Sequence, residues 1–563
     1  MLCVNSVNAM FHKIGLYYRT VRYLKPRQVG FRVYYMFRRK FYSVIGYRYP
    51  QSIPSNSVEL KLQPSIPAYY SYLGNNTFQF LNLEKGFENS IDWNYADYGK
   101  LWTYNLNYFD FLHQPGIDKA TGWSLIRDFI SNSNYLKDGL EPYPISLRGI
   151  NWIKFFTRHH INDQKTNDHL YAQYYRLLKN PEYHLMGNHL LENGCSLLFG
   201  AYYFNDKKLY DKAAKIIKSE LEEQILEDGG HFERSPMYHQ IILFRLLECL
   251  NLAKNNDLFD HELESLLIDT CKKMIRWLNS ITFTNGDIPL VNDSASGIAP
   301  ITEQINAYAR RLLNTESTEK EKITTKNSKE HKEKNDNKSL CSIEAFVVKN
   351  GTGYRKIVGD DYEMVIDVGD IGPDYIPGHA HSDTFSFVLY HEGNPIIVDP
   401  GTSTYEKNER RILERSTEYH NTVMVNGDEQ SEIWGGFRVG RRAYITHLEE
   451  KSNTIKAAHD GYEKFDIYHE RTWKFNHGSI VISDNIIEKE NGTPAFSFLH
   501  FHPDVHITIN NDYIIAEEIR IRFLGSAEIR EKEYLYCMGF NRLRSAQKIS
   551  ILFKSRLQTV IEL

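Results

Sequence analysis

Residues 383–401 read DTFSFVLYHEGNPIIVDPG. Phe385, Phe387 and Leu389 alternate with Ser386, Val388 and Tyr390, and Glu392-Gly393-Asn394 interrupts the run before a second apolar stretch. A period of two places alternate side chains on opposite faces of a strand, and turn residues between two such runs make a hairpin. The same pattern recurs in YEMVIDVGD (362–370), NTVMVNG (421–427), RTWKFNHGSIVISDN (471–485), AFSFLHFHPDVHITI (495–509) and RIRFLG (520–525). Residues 340–563 therefore read as an antiparallel β domain of stacked sheets, a β-sandwich.

Upstream the period changes. WSLIRDFISN (123–132), INWIKFFTRH (150–159), HLLENGCSLLFGAYYF (189–204), YHQIILFRLLECLNLA (238–253) and IDTCKKMIRWLNSI (268–281) carry apolar residues at three-to-four spacing, the mark of amphipathic helices. Short polar, Gly or Pro breaks separate them, so residues 91–313 read as successive helical hairpins. Between the two patterns lies NTESTEKEKITTKNSKEHKEKNDNKS (314–339). It has too few apolar side chains to offset ordering entropy and reads as a charged linker. Residues 1–90 form a lead-in that opens with a basic, aromatic helical segment: Tyr17, Tyr18, Arg19, Arg22, Tyr23, Lys25, Arg27, Tyr34, Tyr35, Arg38, Arg39 and Lys40. Such a helix either touches a membrane surface or a partner, or is a solvated helix packed on the main body. The expected class is a multidomain α+β chain, all-α first and all-β second.

With 563 residues the chain is long enough for several cores. Its formal net charge of −4 gives no global basic field, which argues against nucleic acid as a partner. An anionic ligand would need a local basic cleft. The 38 Tyr and 30 Phe suit sugar faces, although core packing explains them equally well. Cys3, Cys195, Cys249, Cys271, Cys341 and Cys537 are scattered, which argues for reduced thiols and against a disulfide framework. No secretory signal or transmembrane run is read, so a cytoplasmic location is expected, with the periplasm as the alternative.

Three motifs could carry chemistry. GHAHSD places His379 and His381 two apart on an extended segment, hence on one face. With Asp399 and His420, His381 makes a His/Asp/His set suited to zinc; the alternative is three unrelated polar residues at strand ends. GNHLLENG places Asn188, His189 and Glu192 within one helical turn, where a carboxylate could orient the imidazole or merely satisfy a helix start. In DGGHFERSPMYH, Ser235-Pro236 has the form of an N-cap and N1 proline. Tyr238 and His239 would then lie in the first turn, where the positive end of the helix favours a phenolate. Arg148 in SLRGINW and Arg438 in FRVGRR could grip a carboxylate.

Together these segments resemble the heparinase II/III family. The likeness rests on LWTYNLNYFDFL, SLRGINW, NHLLENG, DGGHFERSPMYH, GHAHSDTFSF, VDPGTSTY, STEYHNTV and EIWGGFRVGRR, which span residues 101–442 in the family's order. The resemblance implies an incomplete (α/α) toroid followed by an antiparallel β-sandwich. It also implies a polysaccharide lyase that cleaves an anionic, uronate-bearing chain by β-elimination to leave 4,5-unsaturated ends. Asn188 with His189 would neutralise the uronate carboxylate. Tyr238 would be the acid and, for one C5 epimer, also the base. His379 would be the other base, and Tyr405 a further catalytic tyrosine. Glu192, His239, Arg148 and Arg438 would contact substrate, with Glu192 supporting His189. His381, Asp399 and His420 would hold a structural zinc. The N-terminal segment resembles homologues associated with surface-polysaccharide biosynthesis, which widens the substrate from heparan sulfate to a bacterial capsule or O-antigen. Two other readings stand beside the lyase. A toroidal glycoside hydrolase would need a carboxylate pair drawn from Glu192, Glu233 and Asp293. A non-catalytic polysaccharide-binding or assembly protein would keep the fold alone.

Overall fold

The computed structural model describes residues 13–313, 342–344, 351–489, 492–510 and 513–563; the expected linker 314–339, with Cys3 and Cys341, lies outside them. The long helices begin where the sequence offers a cap. Asp163 accepts from Thr166 N at the start of Gln164–Lys179, and Asp206 from Lys208 N and Leu209 N at the start of Lys207–Gln224. Ser235 accepts from Tyr238 N, with Pro236 next, at the start of Pro236–Asn255, as its sequence predicts.

Helices Lys100–Tyr108, Pro142–His159, Gly187–Phe204 and Pro236–Asn255 pack side by side as an inner row, and Thr302–Leu313 packs on the last of them. Gln164–Lys179, Lys207–Gln224 and Glu262–Ile281 back them as an outer row. This is an incomplete (α/α) toroid. Gly187–Phe204 is buried along nearly its whole length, which explains the apolar run Leu197–Phe204 in its second half. A Cβ at Gly200 would stand 2.7 Å from the Tyr174 ring, so only glycine lets inner and outer helices approach this closely there. Cys195, Cys249, Cys271 and Cys537 are buried free thiols.

The β domain stacks two antiparallel sheets. The smaller runs Ser342–Glu344, Tyr354–Val358, Tyr362–Asp367, Phe387–His391 and Asn394–Ile397 in chain order. The larger is built on the long hairpin Ile519–Gly539 and Arg542–Glu562, with Ser479–Ile487, Tyr468–Asn476, Thr454–His459 and Ile445–Lys451 extending it on one side. Ile357, Met364, Ile366, Phe387 and Leu389 join Ile482, Trp473, Ile549 and Ile551 in the core between the sheets. The other face of the smaller sheet covers the toroid. Trp277, Ile281, Phe283 and Val291 pack there on Tyr354, Val365, Val388 and Tyr390, and Phe283 stacks on Tyr390 at 3.8 Å. Burial on both faces explains why every residue of Tyr362–Asp367 is buried.

The lead-in holds an element that its sequence did not announce. Tyr72–Gly74, Thr77–Phe80 and Leu83–Gly86 form a three-stranded meander. Its tight turns use left-handed pairs, Asn75-Asn76 and Leu81-Asn82. Strands of three and four residues are too short to show a period, and only Asn75-Asn76 carries a turn signal.

Candidate active site

The seam between the toroid and the β domain gathers side chains from both. Its hub is Asp293, fully buried just after Asn292, whose left-handed backbone (φ 54°) redirects the chain. Arg411 clamps both Asp293 oxygens, at 2.5 and 2.7 Å. His379 Nδ1 donates to Oδ2 at 2.8 Å, and His381 Nε2 and Thr402 Oγ1 donate to Oδ1 at 2.9 and 3.1 Å. Burial alone would lift this carboxyl, but Arg411 and the two imidazoles hold it well below the usual carboxylate range. An ionised Asp293 accepts only, so the shared proton sits on His379 Nδ1.

His379 Nε2 lies 3.6 Å from Glu233 Oε2, and the ring packs against Tyr238 with centroids 4.0 Å apart. Tyr238 sits in the first turn of Pro236–Asn255, and its hydroxyl meets that of Tyr405 at 3.1 Å. The expectation of a stabilised phenolate fails. Burial pushes the Tyr238 phenol up, with Asp293 and Glu233 adding to it, and a helix N-terminus contributes too little to reverse that. Tyr405 is pushed up in the same way. Both phenols are therefore proton donors at rest.

Asn188 and His189 enter from the start of Gly187–Phe204. Asn188 Nδ2 donates to both oxygens of Glu233, at 3.1 and 2.9 Å. The His189 ring packs at a tilt against Tyr143, centroids 4.5 Å apart, and donates from Nδ1 to Glu182 Oε1 at 3.2 Å. Burial pulls His189 down, but Glu182 outweighs it and the net shift is upward. Burial would raise Glu182, but His189 and Asn193 hold it down.

Several expected roles change. Glu192 does not support His189; it is buried against Arg245 at 2.7 Å, and Glu182 takes that place. Arg148 is fully buried and spends its guanidinium on Gln173 Oε1, Asn107 O and Gly139 O, so it holds the helices together. His239 is fully buried too, accepting from His231 N at 3.2 Å and donating to Met274 O at 3.0 Å. Arg438 is exposed over Trp434 and Tyr17, while its neighbour Phe437 packs on Tyr405. Of the hydrolase carboxylates, Glu192 is locked to Arg245 and Asp293 is saturated, so they offer no pair. Glu233, Glu182 and Arg411 had no assigned role in the lyase reading of the sequence. Glu233 stands two residues before the Ser235 cap, and its position there is the one signal that could have singled it out.

The expected metal residues partly converge. The His381 and His420 rings lie 5.2 Å apart, and His381 Nδ1 and His420 Nε2 are buried without a hydrogen-bond partner. Asp399 accepts from His420 Nδ1 at 2.7 Å and from Gly401 N at 3.1 Å. Asp383 Oδ2 is a third unpartnered buried atom. Among the described residues no group of three or more His, Cys, Asp or Glu forms a ready metal cage.

Two family models match the chain: Heparinase II/III N-terminus over residues 149–318, and Heparinase II/III-like, C-terminal over residues 346–562. A heparin-sulfate lyase of Bacteroides stercoris is 26% identical over 306 residues, which are 52% of this chain and 42% of that protein. A heparin-sulfate lyase of Bacteroides thetaiotaomicron is 24% identical over 311 residues, 52% and 43% of the two. Each match thus spans less than half the relative's length. Among solved structures, that titled Crystal Structure of Heparinase III superposes with a TM-score of 0.63 at 17% identity, covering 84% of this chain and 80% of that one. A heparan sulfate lyase HepC mutant from Pedobacter heparinus gives 0.56 at 15% identity, covering 87% and 81%. At such identities the likeness to the solved structures is one of fold.

Proposed function

The chain belongs to the heparinase II/III-like family, and from that premise we propose that it is a polysaccharide lyase cleaving an anionic, uronate-bearing polysaccharide by β-elimination. The observation that carries this reading is the pairing of His379 with Tyr238 at 4.0 Å, with His379 Nδ1 anchored on Asp293. Elimination needs the uronate carboxylate offset so that C5 becomes acidic, a base for the C5 proton, and an acid for the departing C4 oxygen. His189, whose charged form Glu182 favours, and the Asn188 amide receive the carboxylate. His379 Nε2 takes the C5 proton, and the C5–H electrons become the C4–C5 double bond. As the C4–O bond breaks, Tyr238 gives its phenolic proton to the glycosidic oxygen. Tyr405 then donates to the Tyr238 phenolate. Asp293 stabilises the imidazolium formed on His379. Solvent exchange restores both groups.

The relatives named heparin-sulfate lyases favour a glycosaminoglycan-like substrate; a bacterial surface polysaccharide with the same uronate chemistry fits the site equally. The test is ultraviolet absorbance of the unsaturated uronate during digestion of a panel of uronate polymers, with His379→Ala and Tyr238→Phe as controls.

We also propose a structural zinc held by His381 Nδ1 and His420 Nε2, with Asp399 orienting His420 from behind and Asp383 supplying an oxygen. The ion would supply no chemistry to the sugar. It would fix His381, and through it the Asp293 hub.

A further inference from the structure

The helix Pro26–Val44 lies on the outside of the toroid. Its inner face is Gln28, Phe31, Tyr35, Arg38 and Tyr42, at helical spacing. That face is well tethered. Gln28 Nε2 donates to Leu185 O (3.1 Å), Tyr35 OH to Pro181 O (2.6 Å) and Arg38 Nη1 to Lys179 O (2.7 Å), while Phe31 stacks on Tyr183 at 4.6 Å. The helix is thus fixed on residues 179–185, the segment that leads into Asn188.

The opposite face is apolar and faces solvent. Val29, Val33, Met36, Phe37, Phe41 and Val44 are between 45% and 85% exposed. At 100° per residue they form one stripe along the helix. Lys40 lies within this stripe; Arg32 and Arg39 border one side and Arg27 the other. The helical residues 13–21 just before it expose Ile14, Tyr17, Tyr18 and Val21 as well. An isolated exposed apolar residue needs no explanation, but a continuous stripe does.

Charge decides what covers it. Residues 1–58 contain ten Lys and Arg and no Asp or Glu, in a chain whose overall charge is −4. An apolar stripe flanked only by cations matches a surface that is apolar beneath and anionic on top. Among the described residues no helix is long and apolar enough to cross a membrane, so the helix would lie in the plane of the surface. We propose that the outward face of Pro26–Val44 docks the protein on an anionic lipid bilayer. The docked helix sits behind the segment entering Asn188, so it would hold the cleft close to the membrane. The inference does not depend on the lyase reading.

The experiment is cosedimentation of the full chain with phosphatidylcholine vesicles, with and without phosphatidylglycerol. The protein is expected to pellet with the anionic vesicles and to be released by high salt. Val33→Glu/Phe37→Glu should weaken partitioning about tenfold or more, and Arg39→Glu/Lys40→Glu by roughly fivefold for each charge removed. These side chains are exposed, so the thermal midpoint should not move in either variant. Equal pelleting of wild type and both variants, or no pelleting at all, overturns the proposal. So does a lipid-free dimer that Val33→Glu/Phe37→Glu dissolves, which would assign the stripe to a second copy of this chain.

Discussion

His379 Nδ1 donates to Asp293 Oδ2 at 2.8 Å while Arg411 grips both oxygens of the same carboxylate. One buried acid therefore orients the proposed base and also ties the toroid to the β domain. His379→Ala should remove turnover with little change in thermal midpoint. Asp293→Asn should remove turnover and also cost roughly 3–5 kcal/mol of stability, because it strands the Arg411 charge in the interior. Parallel assays and melting curves check this; an Asp293→Asn protein as stable as wild type would contradict it.

Burial favours the protonated form of Tyr238, so in the proposed elimination its hydroxyl supplies the proton that the leaving group receives. Tyr238→Phe should lower kcat by about a hundredfold or more while leaving the fold intact. Tyr405→Phe, which removes only a donor to Tyr238, should lower it by less. Equal rates for wild type and Tyr238→Phe would remove Tyr238 from the mechanism.

If His189 receives the substrate carboxylate as proposed, the Glu182–His189 pair should make substrate binding depend on pH. His189 is raised, so its share of stability is present below its unfolded pKa of about 6.5 and is lost as pH rises through the raised value. Glu182 is lowered, so its share is present above its unfolded value and is lost as pH falls through the folded one. KM should therefore rise on the alkaline side as His189 loses its charge. In Glu182→Gln that rise should move to lower pH with kcat less affected. An unmoved KM profile would show that His189 carries no charge to the substrate.

Arg148 separates packing from recognition. Its guanidinium has protein partners on every side, and removing it orphans Gln173 Oε1 and two carbonyls. Arg148→Ala should cost about 2–4 kcal/mol and leave KM unchanged in whatever folds. A raised KM at unchanged stability would restore Arg148 to the cleft.

If His381 and His420 hold zinc, purified protein should carry about one equivalent, and chelation should lower the thermal midpoint. His420→Ala should abolish both the metal and the chelator effect. Metal-free protein that melts unchanged with chelator would exclude the ion.

The fold was legible because its two halves obey different periods, and the Ser235-Pro236 cap marked a helix start to the residue. The site was legible as segments and not as contacts. His379, Tyr238 and Asn188 stand in conspicuous motifs, but Arg411 reaches Asp293 across 118 positions of sequence, and no local pattern reports such a pairing. Glu192 misled because three-residue spacing places it near His189 on a helix, while the toroid interior supplies Arg245 as a stronger partner. Arg148 misled because an arginine is seldom fully buried, and only the packing of three helices shows that this one is.

The most direct measurement of the central claim follows ultraviolet absorbance while the protein digests a panel of uronate polymers, glycosaminoglycan and bacterial capsule alike. A rising unsaturated-uronate signal with at least one polymer, lost in both His379→Ala and Tyr238→Phe, is the expected result. Chain cleavage without unsaturation, or unsaturation that survives in those variants, would contradict it.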